Sequence, residues 1–200
     1  MVPAHSATRA GTMPKASRDR SLWTLAMKIK TLFIAVFSLI SLSAVAGVPM
    51  RATLSDAKPF LDSITSADSI SIYEGLPHQV FERDLMERER ARSDIFWIAK
   101  FPFYAPALKP EDQQSLKSIL SAASTLKLFA GEKMCGGFHP DFCVSWDSEQ
   151  RTFNALICFG CHEIIFELEG KTFRYDLNQN AYEELMRVLS VYAVKRPKKK

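Results

Sequence analysis

The stretch FCVSWDSEQRTFNALICFGCHEIIFELEGKTFRY, residues 142–175, decides the fold of this chain. Four runs in it are rich in β-branched and aromatic residues, and short polar segments separate them, which is the pattern of strands joined by tight turns. The predicted strands are 142–146, 152–158, 163–168 and 172–175, with hairpin turns at 147–151 and 169–171. The C-terminal third is therefore predicted to be an antiparallel meander.

Helical spacing of apolar residues predicts three helices outside this meander. One covers 179–192 and is capped by Asp176 or Asn178. A second covers 79–92, where opposite charges three and four residues apart form a solvated face. The third begins at Pro110, which suits a first helical position.

Two short strands, over 69–73 and 95–98, precede the meander in the sequence. Together the elements predict an α+β fold, in which about three helices pack on a small antiparallel sheet, the C-terminal meander.

A segment typical of export signals lies near the N-terminus. Two cations in 27–30 precede an uncharged apolar run over 31–45, and Ala44-Val45-Ala46 offers the small residues that a signal peptidase accepts. We therefore predict a signal peptide over 27–46, cleavage after Ala46, and a periplasmic or secreted protein. The alternative is an uncleaved membrane anchor, because 31–49 is 19 residues without a charge and a spanning helix needs roughly 20.

The charge balance changes once this segment is set aside. The whole chain has 26 Lys and Arg against 22 Asp and Glu, but the first 46 residues contain six of the cations and one of the acids. Residues 1–26 are predicted to be a disordered basic lead or an over-called start. Five further cations lie in 195–200, so the predicted single domain over 47–194 is mildly acidic.

The basic tail over 195–200 could contact nucleic acid, anionic lipid or cell-wall polymer. A terminal charge run is more often a solvated end, and that is the interpretation adopted. No nucleic-acid partner is expected, and membrane contact is expected only through an uncleaved signal segment.

All four cysteines, Cys135, Cys143, Cys158 and Cys161, lie within 27 residues. The simplest interpretation is two disulfides, because an exported protein enters an oxidising compartment. Four cysteines allow three connectivities, and the sequence does not choose among them. A Cys158–Cys161 bridge would need a tight turn, which Gly160 permits.

The second interpretation is a structural zinc site. A two-residue gap lets the sulfurs of Cys158 and Cys161 face one point, and Cys135 with His139 would complete a tetrahedral set of ligands. Cys143 or His162 could substitute for one of the four.

The third interpretation is a haem or redox centre. Residues 158–162, Cys-Phe-Gly-Cys-His, match the motif for covalent haem c attachment, in which both thiols bond the porphyrin and His162 would bind the iron. The residues after the motif are strand-like, whereas haem c and thioredoxin-like sites normally continue into a helix. Haem and redox functions are therefore ranked below the disulfides and zinc.

Catalytic motifs are absent from the sequence. It contains no Gly-x-Ser-x-Gly, P-loop, dinucleotide-binding or His-Glu-x-x-His pattern. Glu74 and His78 could form an acid–base pair, although a histidine in a turn beside a helix start is more often structural. We therefore predict no catalytic residue set, and the sequence favours a protein that is not an enzyme.

Four segments, 73–79 (YEGLPHQ), 101–104 (FPFY), 133–141 (KMCGGFHPD) and 158–161 (CFGC), resemble a group of exported bacterial proteins of unknown function. The similarity covers 69–197 and implies no activity or cofactor. It does imply that Cys135, His139, Cys158 and Cys161 belong to one spatial cluster, with Cys143 as the odd member.

The function predicted from the sequence is that of an exported binding or structural domain, whose Cys/His cluster is a disulfide staple or a zinc site. The alternative is a redox or haem-carrying protein that uses Cys158, Cys161 and His162. The sequence indicates no particular substrate or partner.

Overall fold

A computed structural model describes residues 52–198 of the chain. These residues belong to one compact unit. The predicted basic lead over 1–26, the signal peptide over 27–46 with its cleavage site, and the last two residues of the basic tail lie outside the described residues. No helix between residues 52 and 198 is long and apolar enough to cross a membrane.

A six-stranded antiparallel sheet forms the centre of this unit, with the strand order β1-β5-β6-β7-β8-β4. The predicted meander supplies β5 (Phe142–Ser148), β6 (Arg151–Cys158), β7 (Glu163–Leu168) and β8 (Lys171–Leu177). The edge strands are β1 (Ile70–Glu74) and β4 (Leu126–Leu128). The α+β prediction is confirmed, and the sheet is larger than the small meander because two earlier segments of the chain extend it.

The described residues form four α-helices, which are α1 (Leu54–Thr65), α2 (Arg83–Arg90), α3 (Gln113–Ser121) and α4 (Gln179–Leu189). Three of them, α1, α3 and α4, pack on one face of the sheet and enclose the main hydrophobic core. The prediction of about three packing helices therefore fits, but α1 was not among those predicted. Helix α2 is shorter than the predicted 79–92 and buries no residue.

A two-stranded hairpin covers part of the opposite face of the sheet. Its strands are β2 (Ile95–Ile98) and β3 (Phe101–Tyr104), and the residues beneath it form a second, smaller hydrophobic cluster. This cluster contains Ile98 and Phe103 from the hairpin and Cys143 and Leu156 from the sheet. The sheet is therefore covered on both faces, by helices on one side and by the hairpin on the other.

Three hairpins turn through two residues that both have positive φ, the geometry of a type I′ turn. The pairs are Ala99 and Lys100, Glu149 and Gln150, and Glu169 and Gly170. Only the last pair contains glycine, the residue that adopts this conformation at no steric cost. The register of the strands therefore overrides local preference at the other two turns.

Candidate functional site

The loop of residues 129–141, which joins β4 to β5, brings Cys135 to the turn between β6 and β7. There it forms a disulfide with Cys161, with the two Cα atoms 5.6 Å apart. Cys143 and Cys158 are both free thiols. The predicted pair of disulfides is therefore corrected to one, which joins two segments 26 residues apart.

Ion pairs hold the same loop against the sheet. Lys133 lies 2.8 Å from the Glu163 carboxylate and also pairs with Asp176 on β8. The Arg174 guanidinium contacts the second oxygen of Glu163 at 2.7 Å. Glu163 is completely buried, so its two cationic partners are what compensate the loss of hydration. Together with the disulfide, these pairs fix the loop, and its Phe138 packs against the smaller hydrophobic cluster.

Cys158 lies at the end of β6, beside the disulfide. Its sulfur accepts a hydrogen bond from the Cys161 amide at 3.3 Å, and the His139 amide also points at it. Burial raises the pKa of this thiol, and the two amide hydrogen bonds oppose that effect. The structure thus brings Cys135, Cys158 and Cys161 together.

Cys143 has different surroundings. It faces Leu156 across the β5–β6 pair and is fully buried beneath the hairpin. Its thiol is directed at Asn154 Oδ1, 3.8 Å away, and burial raises its pKa. Cys143 belongs to the hydrophobic cluster and not to the disulfide centre.

Two histidines lie next to Cys135 with their ring centroids 4.7 Å apart. His78 Nε2 is 3.2 Å from the Cys135 carbonyl, while Nδ1 accepts from the amides of Val80 and Phe81. His139 Nε2 is 3.2 Å from the Pro77 carbonyl. Because a carbonyl only accepts, Nε2 carries the proton in both rings. Burial lowers the pKa of His139.

Glycine is required where these segments approach each other. A side chain at Gly75 would place its Cβ 2.0 Å from the Pro140 carbonyl oxygen. At Gly136 the backbone has φ of +78°, and a Cβ would lie 2.8 Å from the His78 ring. These two glycines, one in the segment 73–79 and one in the segment 133–141, therefore allow close contact between the loop and residues 75–82.

A cleft of about 330 Å³ opens between these segments. Its rim is apolar, since Phe81 is 68% exposed and Met134 is fully exposed. Its floor is polar and contains His139, Asp141 and Cys158. The full set of lining residues is His78, Phe81, Glu82, Met134, Cys135, His139, Asp141, Cys158, Gly160 and Arg196.

The C-terminal segment closes one side of the cleft. The Arg196 guanidinium donates to the Gly75 carbonyl at 2.9 and 3.1 Å and to Asp141 at 3.3 Å. The buried Glu74 carboxylate accepts the backbone amides of residues 194–196. The interpretation of 195–200 as a solvated end is therefore wrong for Lys195 and Arg196, because a buried carboxylate needs these donors.

The hydrogen bonds of Glu74 and His78 bear on the acid–base pair that was considered from the sequence. Glu74 accepts hydrogen bonds from the C-terminal backbone, whereas His78 bonds to Cys135 and to its own turn. The two side chains therefore serve separate structural contacts.

The four predicted zinc ligands, Cys135, His139, Cys158 and Cys161, lie in one region, but two of them are joined as a disulfide. In residues 52–198 no group of three or more His, Cys, Asp or Glu side chains is arranged to hold a metal ion. Zinc binding would require reduction of the Cys135–Cys161 bond, and it remains a prediction for the reduced chain.

The residues of the haem motif are used in three different ways. Cys158 is a thiol, Cys161 is bonded to Cys135, and His162 stacks on Tyr182 of α4 with 3.7 Å between ring centroids. A thioether to haem would first require the disulfide to be opened.

The sequence did not reveal that Glu74 and Glu163 are buried carboxylates that organise the site, although Glu74 was considered as half of an acid–base pair. Glu74 ends an alternating strand as Ile70-x-Ile72-x-Glu74, and this alternation places it on the inner face with the two isoleucines. That pattern could have indicated a buried carboxylate in need of donors. Nothing in the sequence identified the donors as residues 194–196, since they are 120 or more residues away.

No protein-family model matches the chain, and neither the comparison with curated proteins nor the comparison with solved structures gives a match.

Proposed function

We propose that this protein is an exported binding domain in which the Cys135–Cys161 disulfide fixes one wall of a ligand-binding cleft. The observation that carries the proposal is that the disulfide-bonded loop and residues 78–82 line the same cleft of about 330 Å³. Cavities of about 300 to 1,000 Å³ are typical of small-ligand sites. Export is supported by the signal-like segment of the sequence, and a disulfide is compatible with it.

The polar groups of the cleft favour binding over catalysis. Both nitrogens of His78 are hydrogen-bonded, Arg196 is held by Gly75 and Asp141, and His139 is tied to Pro77. Groups held in this way are pre-organised, which lowers the entropy lost on binding. A general base or nucleophile, in contrast, needs a free lone pair directed at the substrate.

The lining suggests the chemistry of the ligand. Phe81 and Met134 present apolar surface at the rim, while the floor carries both hydrogen-bond donors and hydrogen-bond acceptors. The cleft therefore suits a small ligand that has one apolar portion and one hydrogen-bonding portion.

Fragment screening by two-dimensional amide NMR tests this proposal. Mixed polar–apolar fragments added to the oxidised protein should shift the amides of Phe81, Gly136 and Gly160 first. The double variant Cys135→Ala/Cys161→Ala should bind the same fragments at least about tenfold more weakly, because its loop has lost the covalent tie. Cys143→Ala, which keeps the disulfide, is the matched control. Shifts that concentrate on the helical face, or equal binding by the double variant, would contradict the proposal.

The zinc alternative is tested on the same protein. Zinc added after reduction should be measured by calorimetry, with Cys143→Ala as a control that retains all four predicted ligands. Tight binding that is lost in Cys158→Ser would favour a zinc site over a disulfide staple.

A further inference from the structure

A free thiol and a disulfide lie side by side in this cleft, and the proposed binding function makes no use of that arrangement. Cys158 is 2% exposed, and its sulfur is 3.3 Å from the backbone nitrogen of Cys161, one partner of the disulfide. Cys135, the other partner, is half-buried at the cleft wall. The three cysteines thus run from an enclosed thiol, Cys158, through the buried Cys161 to the half-buried Cys135.

Burial raises the pKa of the Cys158 thiol, and two backbone amides that point at its sulfur oppose that effect. The amide of Cys161 donates to the sulfur from the β6–β7 turn, and the amide of His139 donates from the loop. Hydrogen bonds to the charged form of a group stabilise that form. These two donors come from the segments that the disulfide joins, so the sulfur is held at the junction.

We propose that this centre performs thiol–disulfide exchange, with Cys158 as the internal nucleophile. The Cys158 thiolate attacks Sγ of Cys161, the Cys135–Cys161 bond breaks, and Cys135 leaves as the thiolate. One disulfide is exchanged for another, so no external oxidant or reductant is consumed. The proton lost by Cys158 is returned through solvent when Cys135 is protonated.

The product of this step fits the local backbone. Cys158 ends β6, and Cys161 lies three residues on, within the turn that joins β6 to β7, where its amide already bonds back to the Cys158 sulfur. A disulfide spans Cα atoms about 4.4 to 6.8 Å apart, a separation that a turn permits between residues three apart and an extended strand does not. A side chain at Gly160 would meet no other atom within 4 Å of its Cβ, so the turn has room to adjust.

Exchange would expose a reactive thiolate to a particular kind of partner. Cys135 is flanked by the fully exposed Met134, and the ring of Phe81 lies across the cleft at 68% exposure. The released Cys135 thiolate attacks a disulfide R–S–S–R, forms Cys135–S–S–R and releases one R–S⁻. The apolar rim favours a disulfide with apolar neighbours over a small charged one.

Labelling with 5,5′-dithiobis(2-nitrobenzoate) tests the exchange directly. The native protein should release one equivalent of thionitrobenzoate, and peptide mapping should find the mixed disulfide on Cys135 and a new bond between Cys158 and Cys161. Cys158→Ser should lower the release rate by at least about tenfold, since Cys135 then has no internal nucleophile to free it. Cys143→Ala should react as the native protein does.

The position of the label in the native protein decides the proposal even where Cys158→Ser fails to fold. Label on Cys158 or Cys143, with the Cys135–Cys161 bond intact, would overturn it, and so would no reaction. Ligand binding in the NMR screen does not depend on this outcome, so the two proposals fail separately.

A second arm distinguishes the partners. Oxidised glutathione should react more slowly than a cystine peptide flanked by leucines, and Phe81→Ser should reduce that difference. Phe96→Ser, which changes another exposed aromatic residue, is the matched control and should leave the difference unchanged.

Discussion

Cys135 and Cys143 differ in what they contribute, although both lie in the same short region of the chain. Cys135 closes a loop between segments 26 residues apart, and the chain-entropy estimate for such a crosslink is about 3.5 kcal/mol. We expect Cys135→Ala to lower the melting temperature of the oxidised protein by roughly 10 °C. Thermal unfolding followed by circular dichroism measures this change.

Cys143→Ala is the control for that experiment. It removes one sulfur from a buried cluster and breaks no covalent bond, so we expect a loss of about 1 kcal/mol. Equal losses for the two variants would show that the disulfide does not stabilise the fold. A reducing agent should lower the melting temperature of the native protein and leave Cys135→Ala almost unchanged.

His139 gives the stability of the fold a dependence on pH. Burial lowers its pKa in the folded protein, so the unfolded chain binds this proton at a higher pH than the folded chain does. Stability is therefore complete above the ordinary histidine range and is lost as the pH falls through it. Urea unfolding should show this loss between about pH 7 and about pH 5, and His139→Gln should make the slope shallower. An unchanged slope would assign the effect to other groups.

The hairpin turns are the elements at which local preference and fold disagree. Gln150 has φ of 61° in the β5–β6 turn, a conformation that costs residues with a Cβ about 1 to 2 kcal/mol. We expect Gln150→Gly to raise the free energy of unfolding by about 1 kcal/mol. The urea midpoint at constant slope measures the change.

The same substitution in a helix should have the opposite sign. Gln114 is exposed within α3, where glycine destabilises a helix by roughly 0.5 to 1 kcal/mol. Gln114→Gly is therefore the matched control. A loss of stability at both positions would show that the positive φ at Gln150 is not strained.

The elements that could be predicted are those whose own sequence shows a clear local pattern of apolar and polar residues. Strands β5 to β8 are runs of β-branched and aromatic residues between short polar turns, and α4 has its inner stripe at Ala181, Leu185 and Leu189. Its cap is Asn178, one of the two predicted residues, whose side chain accepts the Ala181 amide at 2.8 Å. Local signals were sufficient for these elements.

The elements that could not be predicted depend on distant contacts. Helix α1 contains Pro59, which normally marks a helix end, but its Ala57, Phe60 and Ile64 are buried in the main core. Strand β3 contains Pro102 and was not predicted as a strand. Proline is tolerated there because β3 belongs to a two-stranded sheet, and its bridge to another segment, at Gly75, is made by Phe103 and not by Pro102.

The candidate site could be predicted in composition but not in bonding. The resemblance and the zinc interpretation both implied the clustering of Cys135, Cys158 and Cys161, whereas the choice of Cys161 as the partner of Cys135 depends on how the loop returns to the β6–β7 turn. The roles of Glu74 and Arg196 depend on a contact between the first strand and the C-terminal end.

At the scale of the whole molecule, the proposed export determines the redox environment in which the site is expected to work. We expect the mature protein from an exporting bacterial host to begin at or near Gly47, because Ala44-Val45-Ala46 suits signal peptidase. Intact-mass analysis with N-terminal sequencing measures this. A mature chain that retains residues 31–46 would instead support a membrane anchor.

The most direct test of the account is a disulfide map of the exported protein, made after acid quenching and alkylation in denaturant. Trypsin should release peptides 134–151 and 152–171, each with two cysteines. We expect the two peptides to be joined by a single bond between Cys135 and Cys161, with alkyl groups on Cys143 and Cys158. Cys143 in a disulfide, two bonds between the peptides, or four alkylated thiols in protein that carried zinc would contradict it.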